Sequence, residues 1–264
     1  MSTRSCPGRL AAVLAAAAIA GGLVACGGDD VGEAFCEAAL AIGAPGDPDV
    51  DFATASAEEV RAAEEAFIEE QFQPHVDEVA TSGPEGVRDD AERLSEIVAE
   101  ATADPESDFG RALFFGEGAA ARSAIVAAAA KDDGCDWNRV EVSAVDYAFD
   151  GVADSVPAGT VAFELTNDGD ELHEMVVVRK VDDEDRTFAE LLELPEEEAQ
   201  RLVTFVTAGF SAPGATAWSV GELEAGEHAL LCFIPVGTVD EDQALAGDGP
   251  PHHTRGMVHV FTVE

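Results

Sequence analysis

The sequence predicts an α+β chain of two domains, a small helical bundle followed by a β-sandwich that carries a helical insert. Three observations lead there. Up to about residue 135, alanine and glutamate dominate and apolar residues recur at three- and four-residue spacing. After Trp137 the apolar period becomes two, in short runs separated by Gly, Pro and Asp/Asn turns. One amphipathic stretch, residues 185–206, interrupts this second pattern with helical spacing and is expected to lie outside the sandwich. A chain of 264 residues with 47% hydrophobic residues can build both domains.

The first residues have the form of an export signal, with Arg4 and Arg9, an apolar core from Leu10 to Ala20, and small residues after it. That core is too short and too rich in Ala and Gly for a membrane span, and no other segment offers enough unbroken apolar residues. The segment ends "LVACGGDD", which resembles the bacterial lipobox. The resemblance implies cleavage before Cys26 and a lipid on Cys26, which would make an exported lipoprotein anchored to the outer face of the cytoplasmic membrane or cell envelope. Ordinary cleavage nearby, with an unmodified Cys26, is the alternative. The organisation is then a signal peptide over 1–25, a linker over 26–32, a helical domain over 33–137 and a sandwich over 138–264.

Within the helical region, windows 57–72, 85–103 and 117–131 carry the apolar spacing. Val60, Ala63, Phe67 and Ile68 form one stripe, and Val87, Ala91, Leu94 and Val98 another. Ser82-Gly83-Pro84 and Asp104-Pro105 punctuate them. Of five cysteines, Cys6 leaves with the signal and Cys26 is the lipid site. Cys36 and Cys135 stand near the two ends of the bundle, where a disulfide would close a long loop in an oxidising compartment. Free thiols are the alternative. His75 and Glu78 form a His-x-x-Glu motif that resembles one in imelysin-like domains, but it is isolated and follows a proline, so it is expected to be an exposed polar helix face.

In the second region, "GTVAFELTN" places Val161, Phe163 and Leu165 on one face, and "LHEMVVVRKV", "ATAWSVGEL", "EHALLCFIP" and "GMVHVFTV" are further strands. A turn rich in Asn and Asp precedes His173, a strand delivers Cys232 and then Pro235, and "PHHTRGM" supplies His252, His253 and Met257. This order, from Val-x-Phe, Asn and His to Cys and His-x-x-x-x-Met, resembles the cupredoxins, the blue-copper family of plastocyanin and azurin, over about residues 140–264. The resemblance implies a Greek-key sandwich holding one copper ion, with His173, Cys232 and His252 equatorial and Met257 axial. It also implies electron transfer or copper handling, with a redox or copper-handling protein as partner. A thiolate, two imidazoles and a weak thioether form a trigonal donor set suited to that ion. Plastocyanin-like spacing to the methionine selects His252; azurin-like spacing would select His253. Two features depart from the pattern: nineteen residues, 233–251, separate Cys232 from His252, and Glu174 stands where Asn is frequent. So long a loop is expected to lose the tight coupling that presets such a site. His228 and His259 are expected to be packing or surface residues.

Charge and missing motifs limit the function. A formal charge of −40, with Lys131 and Lys180 the only lysines, repels nucleic acid and anionic lipid. No Gly-x-Ser-x-Gly elbow, His-Glu-x-x-His or phosphate loop is present, so the sequence is not expected to encode an enzyme. The remaining alternative to a copper protein is a metal-free cupredoxin-like lipoprotein acting as a binding or structural module of the envelope.

Overall fold

A computed structural model of the protein describes residues 30–264 except 47, 52–53, 105–106, 108 and 241–248. The expected signal peptide and lipid-bearing Cys26 lie outside the described residues. Among the described residues, no helix is long and apolar enough to cross a membrane.

Among the described residues, six α-helices precede the first strand: α1 (Asp30–Gly43), α2 (Ala57–Phe67), α3 (Gln73–Ser82), α4 (Glu85–Ala103), α5 (Phe109–Phe114) and α6 (Gly116–Lys131). Helix α2 starts on a reciprocal cap. The Glu59 N–H donates to Ser56 Oγ, and the Ser56 N–H donates to the Glu59 carboxylate. One turn of π-helix, Ile68–Phe72, joins α2 to α3. The window 57–72 is therefore helical but not one regular helix. Pro74 falls in the first turn of α3, directly after the π-helical turn.

The stripe Val87, Ala91, Leu94 and Val98 is wholly buried, whereas in the α2 stripe only Phe67 and Ile68 are. A disulfide joins Cys36 to Cys135, 99 residues apart, tying α1 to the end of the bundle. Such a loop contributes about 4–5 kcal/mol by restricting the unfolded chain. Arg122, only 7% exposed, donates to the carbonyls of Ile42 and Gly43 at the end of α1 and of Leu113 in α5. It caps carbonyls that would otherwise lack partners.

The strands are β1 (Asn138–Val145), β2 (Ala148–Asp150), β3 (Ser155–Val156), β4 (Gly159–Asn167), β5 (His173–Lys180), β6 (Val203–Ser211), β7 (Thr216–Leu223), β8 (Gly226–Leu231) and β9 (Val258–Val263). They form a four-stranded sheet, β2-β1-β4-β7, and a five-stranded sheet, β3-β9-β8-β5-β6. Pairing is antiparallel except for β1 with β4 and β3 with β9. Val161, Phe163 and Leu165 point into the core between the sheets, together with Met175, Val177, Leu230 and Phe261.

Both outer faces are covered. Helix α6 lies on the four-stranded sheet, where the Trp218 N–H donates to Ser123 Oγ at 2.8 Å and the Lys131 ammonium sits 4.9 Å from the Trp218 ring centre. This cover buries Ala162 and Val220, which period two alone would have left on a solvent face. At the same contact Gly43 fits because a Cβ there would stand 2.4 Å from Val220 Cγ1.

On the five-stranded sheet lie α7 (Phe188–Leu191) and α8 (Glu196–Gln200), with Phe188 and Leu191 packed on Val178, Ala229 and Leu231. The helical insert expected over 185–206 is therefore shorter: Val203 onward is β6, paired with β5. Its apolar residues satisfied a helical spacing as well as a strand's, and only the pairing decides between them.

Candidate metal centre

Four chain segments meet at one rim of the sandwich. The first supplies Asp146 and Tyr147 between β1 and β2, and the second runs from Asn167 to His173 at the start of β5. The third follows β8 with Cys232, and the fourth is a short 3-10 turn, His252–Arg255, that leads to β9. Asn167 shapes the second. Its side-chain amide donates to the carbonyls of Glu171 (2.8 Å) and Ser211 (2.7 Å) and its Oδ1 accepts from the Gly169 N–H at 2.9 Å. Gly169 is required there, because a Cβ would lie 2.4 Å from Asp146 Oδ1 and 2.7 Å from His173 Nε2.

Residues 233–251 do not loosen the ligand loop as the sequence led one to expect. Pro235 and Pro251 form a β-bridge, the Val236 N–H donates to the Pro250 carbonyl at 3.0 Å, and the His252 N–H donates to the Ile234 carbonyl at 2.9 Å. The His253 N–H donates to the Cys232 carbonyl at 2.9 Å. The loop is thus pinched at its base, where Pro235 and Pro251 come together. Gly256, at φ 109, closes the 3-10 turn in the left-handed region, and its N–H donates to the His253 carbonyl at 3.1 Å.

At this rim His173, Cys232 and His252 are all 0% exposed. His252 Nδ1 lies 3.2 Å from His173 Nδ1 and 3.4 Å from Cys232 Sγ, and donor atoms of the three residues lie within 4.8 Å of one another. Donors bound to one ion at about 2 Å stand roughly 3.4 Å apart, so these spacings suit a shared ion. Among the described residues this is the one such group of His, Cys, Asp and Glu.

His253, the alternative ligand, turns away. Its ring meets Phe233 edge-on at 5.1 Å and lines an apolar cavity of about 730 Å³ beneath α7 and α8. Met257 is 0% exposed and belongs to the same buried cluster as Cys232. His75 and Glu78 lie on α3 apart from this group, and both are half-buried where an exposed face was expected. His228 and His259 pack on the Phe261 ring at 5.4 and 6.4 Å.

The outer edges of both rings meet carboxylates that the sequence had not singled out. His173 Nε2 is 3.0 Å from Asp146 Oδ1, and His252 Nε2 is 3.0 Å from Glu171 Oε2. Glu171 also accepts from the Tyr147 hydroxyl at 2.8 Å and from the Gly237 N–H. An ionised carboxylate can only accept, so each Nε2 carries the hydrogen, and in the neutral form of either ring the Nδ1 lone pair turns inward. Two imidazole nitrogens and a sulfur facing one another in a buried space form a donor set that suits a soft cation.

Burial dominates the electrostatics of the thiol and of His173. Burial pushes the Cys232 thiol up to about 12, although the Glu174 N–H, 3.3 Å from its sulfur, works the other way. Burial, then the neighbouring His252, lower the proton affinity of His173, and Asp146 opposes them. Burial alone would raise the Glu171 carboxyl, but the Gly237 N–H, the Tyr147 hydroxyl and His252 together hold it below its ordinary value. Two positions from His173 in an acid-rich chain, Glu171 carried no signal of its own; its turn position beside a ligand was the only hint.

No protein-family model matches the chain, and no curated protein matches it. Solved structures similar to part of it include reduced auracyanin from Roseiflexus castenholzii, at 18% identity and TM-score 0.32 over 48% of this chain and 97% of that one. Auracyanin A from Chloroflexus aurantiacus, described as a "blue" copper protein, is similar at 16% identity and TM-score 0.31 over 48% and 99%. Rusticyanin from Thiobacillus ferrooxidans is similar at 17% identity and TM-score 0.30 over 48% and 77%.

Proposed function

We propose that the protein is an extracytoplasmic copper protein that relays single electrons, and that His173, Cys232, His252 and Met257 hold one ion. The observation that carries this is the convergence of Sγ and two Nδ1 atoms in a buried, prearranged group. Copper bound by a thiolate and two imidazoles supplies a one-electron couple. The protein's share is to hold the donors still, keep water away and provide the thioether of Met257 as the weak fourth partner. Rigidity comes from the sheet for His173 and Cys232 and from the bridged base of the loop for His252.

All three donor residues are buried from solvent, which favours a relay over an enzyme. Anchoring at the outer face of the cytoplasmic membrane rests on the lipobox-like "LVACGGDD", and a redox or copper-handling protein is the expected partner. The test is to add Cu(II) to the protein from residue 27 and record the visible spectrum. An intense thiolate-to-copper band that Cys232→Ser abolishes is expected. A colourless protein whose weak binding ignores Cys232 would instead fit a metal-free module of the envelope.

A further inference from the structure

We propose that Glu171 and Asp146 are paired positioning residues, each fixing one ligand imidazole with its Nδ1 turned to Cys232 and favouring the oxidised over the reduced ion. The inference rests on the metal site proposed above and deepens it.

Three features of the geometry carry it. The two rings are braced in the same way, by a carboxylate oxygen 3.0 Å from Nε2 in each case. Each carboxylate is itself held. Asp146 accepts from the Asp170 and Glu171 N–H groups, while Glu171 accepts from Tyr147 and from Gly237. Both are partly shielded, with 28% and 16% of their side chains exposed, so their charge acts through a less watery medium than at an open surface. Glu171 has a second consequence. By bonding Tyr147, Gly237 and His252, it joins three of the four segments that build the rim, so His252 is fixed from outside as well as by its own backbone.

A carboxylate hydrogen-bonded to a ligand imidazole makes that ring a stronger donor, and removing such a partner commonly costs 10–100-fold in metal affinity. A stronger donor and a nearby negative charge stabilise the doubly charged ion more than the singly charged one. The pair therefore lowers the reduction potential of the site, and the loss of either member raises it.

The test uses Glu171→Gln and Asp146→Asn, with Glu141→Gln on exposed β1 as a control that removes the same charge elsewhere. In the metal-free, ¹⁵N-labelled protein, the Nε2 of both His173 and His252 is expected to carry hydrogen. Glu171→Gln should give a mixed tautomer at His252 alone, and Asp146→Asn at His173 alone. In the copper-loaded protein each variant should keep the thiolate-to-copper band and bind Cu(II) at least tenfold more weakly relative to Cu(I). For a one-electron couple that is a rise of 59 mV or more. The control should match the wild type in both measurements. Tautomers that do not respond, or potentials that move no further than the control, overturn the inference. Rings that respond as stated in a protein that takes up no copper would support the positioning and refute the metal reading.

Discussion

A single carboxyl shows how the rim sets its own conditions. Glu174 follows His173, its N–H faces the Cys232 sulfur, and its Oε2 accepts from the Phe233 N–H at 3.2 Å. Burial raises its carboxyl from the ordinary 4.5 to about 7. The folded protein therefore keeps a proton that the unfolded chain releases, between about pH 4.5 and 7. The sign follows: stability is greatest below that window and falls as pH rises through it, by no more than about 3 kcal/mol. Glu174→Gln, which preserves the acceptor for Phe233, should raise the melting temperature of the metal-free protein at about pH 8 and change it little at about pH 5. An equal gain at both values would show that burial of charge is not the cause. At this scale the sequence marked His173, Cys232 and Met257 by residue type and order. Spacing to Met257 favoured His252 over His253 but left His253 open, because adjacent residues differ only in where the 3-10 turn points them. Asp146 and Glu171 were invisible among 54 acids, since what distinguishes them is a contact with a ring and not a pattern.

Among the elements, the ligand loop is the instructive one. Counted along the chain, nineteen residues separate thiol from imidazole, and chain entropy suggests a slack connection. Counted through the Pro235–Pro251 bridge, the connection is short. Replacing residues 240–248 by a short Gly-Ser link should therefore leave the thiolate-to-copper band unchanged, as read from the visible spectrum. Loss of the band would make residues 240–248 themselves part of the site. A similar lesson applies to residues 185–206. Their amphipathic spacing held for α7 and α8 but was carried four residues too far, into β6. There Phe205 is 58% exposed at the sheet edge, so burial gave no warning of the strand. Strands β1 to β3 escaped notice because they are short or half-exposed.

Taken whole, the protein is a sandwich with helices on each outer face, carrying 14 basic against 54 acidic residues. Like charges at this density oppose compaction, and salt relieves them. Raising the ionic strength from about 0.01 M to 0.15 M shortens the screening length from roughly 30 Å to 8 Å. The thermal midpoint should rise over that range, measured by circular dichroism, and a flat or falling midpoint would show that the acids are already compensated locally. The layered build also explains why the sandwich's outer faces are less polar than period two implies. Where α6 covers the four-stranded sheet, Ala162 and Val220 are interior, and the alternation blurs into continuous burial.

Local periodicity was enough to divide the chain into a helical part and a sandwich, and the types and order of four residues were enough to nominate a copper chemistry. Both are short-range properties, set by the spacing of side chains along a helix or strand. Which histidine faces the sulfur, how a long loop delivers it and which two carboxylates brace the rings were decided by the tertiary structure alone. Each depends on contacts between residues far apart in the chain, and such contacts are set by how the sheets and turns pack, which no local spacing encodes.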